Sequence, residues 1–294
     1  FCLSRGLGDV YKRQELEALA SSVPDSQMGD ATIEGHDPDW RKLQKNCLEL
    51  WEKTRDLRVA SYLTVAATGL DGLAGLEQGI MLIRFLVSQQ WETFWPRLDP
   101  EDDNDPLERL NVLAMLSPAP GSFNDPVMFI TRLRSIKILP SFRYSLRDLM
   151  IANNELEAAD EPVDLRLIDA ETMAVSDAIV REQAERTGRI LECIDETCRL
   201  MDEKMGGAYT LSMDALIAEL KRLARFYDKH LSSAVEQNAE RPDIIEEEKA
   251  SDPNAVRAVN PSVTAFDLAS FKVSGRAEAL LLLKKSAEYF QREE

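Results

Sequence analysis

Three times in this chain an Asp-Pro pair stands directly before an amphipathic stretch: Asp37-Pro38, Asp105-Pro106 and Asp125-Pro126. Aspartate accepts hydrogen bonds from the free amides of a first helical turn. Proline just inside that turn has no amide to satisfy and a φ already suited to a helix, so the pair reads as a start signal. The residues that follow keep helical spacing. Trp40, Leu43, Cys47, Leu50 and Trp51 step by three and four, which gathers them on one stripe of a helix. Leucine and alanine are abundant and glycine is held to 13 of 294 residues, a composition that favours helix over strand.

The same pattern predicts helices over 58–68, ending near Gly69, and from Leu73 to about Phe94, stopped by Pro96. Asp105-Pro106-Leu107-Glu108 reads as a capping box, with Asp105 as the cap and Glu108 reaching back. Asp125-Pro126 opens a further helix through about Arg134. Between Ile136 and Leu146 the period shortens. Ile136, Ile138, Phe142, Tyr144 and Leu146 alternate around Pro140-Ser141, which predicts a short β-hairpin. An acidic loop follows over 153–162. One long helix is expected over about 170–205, with Thr187, Ile190, Ile194, Cys198, Met201 and Met205 on one face and Gly206-Gly207 ending it. Another carries Leu216, Leu220, Leu223, Tyr227 and Leu231.

The expected organisation is all-α. It has an N-terminal tail at 15–36, then a bundle-like helical domain at 37–153 with the short hairpin. A second helical segment spans 164–233. An acidic linker at 234–272 follows, holding Pro242, Pro253, Pro261 and Glu246-Glu247-Glu248. A last helix begins near Ser274, with Leu280, Leu283, Ala287 and Phe290 on one face. Over 273–294 it reads as the start of a truncated C-terminal region. Residues 1–14 stand apart. Asp9-Val10-Tyr11-Lys12-Arg13-Gln14 back-translates to GATGTGTATAAGAGACAG, which resembles a transposon adapter end from sequencing libraries, and the stretch is set aside as foreign.

Charge and residue chemistry narrow the function. A net charge of −17 and a pI near 4.7 repel phosphate backbones, against nucleic-acid binding. The longest apolar run, Gly79 to Val87, is interrupted by Arg84 and falls short of the ~18 residues a bilayer span needs. Four cysteines without small-scaffold spacing read as reduced thiols of a cytoplasmic protein. Cys193 and Cys198 point about 140° apart on a helix, which suits packing and not chelation. His36 and His230 fit no metal spacing and read as surface or capping residues. Gly69, Gly72 and Gly75 lack the preceding strand and lysine of a phosphate cradle, so a helix–helix turn is expected. In the Asp99–Asp105 run the glycine and glutamate of a calcium loop are replaced by Asn104 and Leu110, leaving a solvated loop that ends in a cap. No catalytic, cofactor-binding or metal-binding residue is assigned, and no cofactor is expected. Trp40, Trp51, Trp91 and Trp95 fit either a core or an interface.

One pattern carries a resemblance. It comprises Asp39-Trp40, Thr54-Arg55-Asp56-Leu57-Arg58-Val59-Ala60-Ser61-Tyr62-Leu63-Thr64 and Gly69-Leu70-Asp71-Gly72-Leu73. It continues through Trp91-Glu92-Thr93-Phe94-Trp95-Pro96-Arg97-Leu98-Asp99-Pro100, Asp105-Pro106 and Arg109-Leu110-Asn111. This resembles the ImpA N-terminal domain of the TssA family of the bacterial type VI secretion system. Phe142-Arg143-Tyr144-Ser145-Leu146-Arg147-Asp148 resembles the end of that domain. Ser274 to Arg292 is similar to the helix leading into the family's ring-forming C-terminal region. The resemblance implies a non-enzymatic cytoplasmic scaffold that contacts sheath, inner-tube, spike or baseplate subunits during tail assembly. Homo-oligomers are expected only with the C-terminal region. The alternatives are a helical adaptor or regulatory module of another cytoplasmic complex and, from a different class, a carboxylate-dependent hydrolase. The hydrolase would need Asp99 or Asp102 desolvated in a concave site.

Overall fold

The computed structural model describes residues 14–21, 26–28, 31–33, 38–118, 125, 127–140, 142–157, 163–206 and 209–239. The expectations for residues 1–13, for His36, for the prolines and glutamates of the linker and for the helix from Ser274 lie outside them. By its contacts the chain divides at Pro242 into two units, 1–242 and 243–294, and the second lies wholly outside the described residues.

Ten helices follow one another among the described residues: α1 (residues 14–20), α2 (Trp40–Trp51), α3 (Leu57–Asp71), α4 (Leu73–Gln89), α5 (Leu107–Ala114), α6 (Phe129–Ser135), α7 (Leu146–Ala152), α8 (Leu165–Met173), α9 (Asp177–Met205) and α10 (Asp214–Ala239). The architecture is all-α, as the composition and periodicity predict. A two-stranded antiparallel ladder, β1 (Ser26–Met28) with β2 (Ala31–Ile33), is added near the start.

The centre of the fold is α3. Its residues are buried nearly all round, from Leu57 to Thr68, the signature of a helix enclosed by others. Its hydroxyls are satisfied within the helix, Thr64 donating to the Ala60 carbonyl (2.8 Å) and Thr68 to the Thr64 carbonyl (2.7 Å). Against it lie α2 on one side and α4 on the other, while α9 lies along α4 and α10 along α9. The α3–α4 turn is made at Gly72, whose φ of 61° is the left-handed region that glycine enters without a Cβ penalty. The two helices approach so closely that a Cβ on Gly75 would sit 2.0 Å from the Ala67 carbonyl oxygen, and one on Gly79 would sit 2.4 Å from Thr64 Oγ1. The glycine spacing read as a helix–helix turn therefore also sets the distance between helices.

Several expectations are corrected. The single helix over 170–205 is two, because Ser176 caps α9 by accepting from the Ala178 amide (3.3 Å), a competing use of the backbone that ends α8 before it. The break lets Ile168 and Thr172 of α8 bury against a different neighbourhood, α8 contacting α7 and α10. The hairpin reduces to one antiparallel bridge, Lys137 with Ser145, flanked by Ile138 N–H to the Tyr144 carbonyl and Leu146 N–H to the Ile136 carbonyl (both 3.1 Å). It stops there because Ser145 and Asp148 form a reciprocal capping box that starts α7. No such box forms at Asp105. Asp105 accepts from the Leu107 amide (3.0 Å), but Glu108 turns to Arg58 at 3.5 Å. The helix from Leu73 ends at Gln89, not near Phe94. Residues 15–36 are no mere tail, since Leu16 and Ala20 of α1 are buried and the Asp39 amide donates to the Leu19 carbonyl (3.2 Å). Nor do 37–153 and 164–233 form separate cores: Ile83 and Leu86 belong to one continuous apolar cluster with Ile190 and Ile194. The α10 backbone also runs to Ala239, past the expected linker start.

Ion pairs tie α9 to α4. Glu77 accepts from Arg189 Nε (2.6 Å) and Arg186 Nε (3.1 Å), and Arg84 donates to Glu196 (2.6 Å). Burial works to raise the Glu77 carboxyl, and hydrogen bonds from the two arginines outweigh it, holding it below the ordinary value of 4.5. A carboxylate depressed on folding contributes stability above its unfolded pKa and loses it as pH falls through the folded one. Glu77→Gln is thus expected to cost about 1 kcal/mol near neutral pH, and the difference should vanish on acidification below 4.5. Urea unfolding of both proteins across that range checks the sign. A difference that grows in acid would contradict it.

Candidate interaction surfaces

The residues that carry the family pattern meet at one place, around Arg109. Its side chain is 1% exposed and has no carboxylate partner. Nε donates to the Pro96 carbonyl (2.8 Å), Nη1 to Trp91 (2.8 Å) and Nη2 to Phe94 (3.2 Å). The guanidinium also lies over the Trp91 and Phe94 rings, at 4.5 and 4.0 Å from their centroids. Burial pushes it down to about 10, so it stays charged at neutral pH. The loop it holds is pinned from the other side. Leu57 N–H donates to the Trp95 carbonyl and Trp95 N–H to the Arg55 carbonyl, both at 2.7 Å. Asp56 caps α3 through the Arg58 amide (2.9 Å) and takes the Arg58 guanidinium as well (2.6 Å to Nη2). Arg55–Arg58, Trp91–Pro96 and Arg109 thus form a structural staple with every donor spent on protein carbonyls and carboxylates.

A second buried charge cluster joins α6 to α10. Glu219, 2% exposed, accepts from Arg134 Nη2 (2.6 Å) and lies 3.3 Å from Arg222, which also donates to Glu155 (2.5 Å). Nearby, Tyr227 donates to the Ile138 carbonyl (2.5 Å), and burial drives its hydroxyl pKa upward. These groups fasten helices together.

The other residues singled out by sequence fall as follows. Asp99 is exposed and caps the 3₁₀ turn Pro100–Asp102 through the Glu101 amide (2.9 Å). His230, expected at the surface, is instead tucked between helices, with Nδ1 at 2.8 Å from the Phe226 carbonyl and Nε2 at 3.1 Å from Asp169 of α8. Its position on the buried edge of α10 was hidden because sequence did not show α8 lying across it. Cys193 is buried and Cys198 half-buried. Burial raises both thiols, Cys198 to about 11, and raises Cys47 to about 12, against thiolate chemistry. Among the described residues no cluster of histidine, cysteine, aspartate or glutamate could hold a metal ion, and no helix is long and apolar enough to cross a membrane. The tryptophans divide. Trp91 is buried, Trp40 and Trp51 are half-buried, and Trp95 is exposed, each with an arginine over its ring.

What remains open to partners is apolar and helical. Met81 and Phe85, one turn apart on α4, are each 49% exposed. Leu167, Met173 and Ile179 are exposed around the α8–α9 corner. Sequence could not find them, because α4 is apolar on every face and nothing in its letters says which face neighbouring helices leave bare.

Comparison with known proteins follows this geometry. The family described as ImpA, N-terminal, type VI secretion system, matches residues 8–118, overlapping the end of the stretch set aside as foreign and stopping just after the Arg109 staple. The chain is 31% identical over 285 residues to the type VI secretion system component TssA1 of Pseudomonas aeruginosa, covering 95% of this chain and 79% of that protein. The chain belongs to the TssA family. Its fold is also like that of a solved N-terminal domain of the TssA component from Burkholderia cenocepacia. The TM-score is 0.57 at 22% identity, over 74% of this chain and 85% of that one. The TssA likeness thus extends well past residue 118, as one continuous core through α10 requires.

Proposed function

We propose that this TssA-family chain is a non-enzymatic cytoplasmic scaffold in assembly of the type VI secretion contractile tail and baseplate. It acts through contacts with sheath, inner-tube, spike or baseplate subunits. The observation that carries the reading is the 31% identity to a TssA1 protein across 95% of the chain. The chemistry of the surface supports it. The buried arginines and carboxylates are consumed in joining helices, the Asp99 and Asp105 carboxylates serve as caps, and large apolar side chains stand exposed on α4 and at the α8–α9 corner. Exposed apolar residues on a rigid helical frame are what a docking scaffold needs. The net charge of −17 steers encounters toward basic partner faces and makes them salt-sensitive.

A pull-down with the tagged protein from the strain that carries the gene tests this reading. It should recover at least one sheath, tube, spike or baseplate subunit, more at low salt than at high. Met81→Asp with Phe85→Asp should reduce recovery while leaving the fold intact, since both side chains are half in solvent. Recovery of a complex containing no tail or baseplate subunit would favour the adaptor reading and overturn this one.

A further inference from the structure

We propose that the cavity at the start of α4 binds a carboxylate carried on a peptide. The inference rests on the geometry of the cavity and is independent of the secretion role.

The cavity measures about 390 Å³. Its floor is the α3–α4 turn at Gly72, its walls the loop after α6 and the first turns of α9. Three features converge there. First, α4 begins at Gly72 with no side-chain cap and no acidic residue in its first turn, although Leu73 and Ala74 line the cavity. The amides of a first turn have no acceptor within the helix, and together they present about half a positive charge. Elsewhere this chain caps α2, α3, α7, α8 and α9 with an aspartate or serine, so the uncapped start of α4 has its acceptor position vacant for a ligand.

Second, Gln183 of α9 lines the same cavity, is 4% exposed, and its side-chain amide makes no hydrogen bond to any described residue. Buried amides are almost always paired, and the cavity side is where a partner can reach this one. Third, Lys137 is exposed at the rim with its ammonium on the Arg143 carbonyl, keeping further donor capacity. The remaining charged groups on the wall are Arg186, held by Glu77 and Glu182, and Asp71, exposed at the end of α3. Asp71 argues against a multiply charged anion such as phosphate and for a single carboxylate. Buried Ile136 and Leu139 supply apolar wall for the chain that carries it.

Titrating the ¹⁵N-labelled protein with N-acetylglycine, and separately with the neutral N-acetylglycinamide, tests the inference. Saturable shifts are expected at the Gly72, Leu73 and Ala74 amides and at the Gln183 side-chain amide with the acid, and much smaller ones with the neutral compound. Lys137→Gln, on the exposed rim, and Gln183→Met, which keeps the volume, should each weaken binding about tenfold. Lys137→Gln carries the test should the buried substitution disturb folding. Absence of saturable shifts at these groups, equal shifts with the neutral compound, or binding unchanged by Lys137→Gln would overturn it. Unchanged pull-down of tail subunits alongside lost N-acetylglycine binding would separate this site from the scaffold role.

Discussion

Arg109→Ala is expected to lower the unfolding free energy by about 3–5 kcal/mol. The substitution leaves three carbonyls, those of Trp91, Phe94 and Pro96, without the donor that satisfies them. A buried acceptor stranded in this way costs roughly 1–3 kcal/mol. Water entering the space and relief of the guanidinium's own desolvation offset part of the sum, and loss of its packing between the Trp91 and Phe94 rings adds to it. Arg109→Lys recovers only a fraction, because a single ammonium cannot span three acceptors arranged for a planar fork. Urea unfolding measures both variants, and a loss under about 1 kcal/mol for the alanine would show that the loop holds itself. The consequence reaches α3, since Trp95 lies between Arg55 and Leu57 on its entry. Protection of the α3 entry against hydrogen exchange should therefore fall with the loop.

Gly75→Ala carries the second large effect, about 3 kcal/mol or more of destabilisation. An added Cβ would meet the Ala67 carbonyl oxygen at 2.0 Å and carbon at 2.2 Å. Both are backbone atoms that no rotamer change can move away, so the α3–α4 pair must separate at the centre of the core. The control is Gly188→Ala in the middle of α9, where nothing lies within 4 Å of the new Cβ. There the substitution should stabilise by about 0.5–1 kcal/mol through helix propensity and a less mobile unfolded chain. The same chemical change is thus expected to act with opposite signs at two helical glycines. Equal effects would mean that the close approach of α3 and α4 does not set the value.

The sequence carried the helices because their cues are local. Asp56, Asp164 and Ser176 cap through their own side chains, and Gly206 ends α9 at a φ of 63°. What it hid depends on partners distant in the chain. Arg109 reads as an ordinary amphipathic-helix arginine until the loop 13 to 18 residues before it folds over its guanidinium. The alternation from Ile136 to Leu146 is real, all five apolar side chains being buried, but the Ser145 cap converts the second strand into a helix start. Ser176 was passed over because a hydrophobic stripe can be drawn through it without a break. Met81 and Phe85 look no different from Ile80 and Leu86 as letters, and only the position of α9 decides which pair meets solvent. The Gln183 amide is likewise invisible in sequence, since a glutamine on an amphipathic helix is normally an exposed one.

The central claim, a TssA-family scaffold required for tail assembly, is tested most directly by counting fluorescently labelled sheath structures in the strain that carries the gene. Deleting the gene should reduce sheath assembly strongly, and the wild-type gene should restore it. The Met81→Asp, Phe85→Asp double variant, expressed at the same level, should restore it poorly. Sheath assembly that proceeds unchanged in the deletion strain would contradict the account.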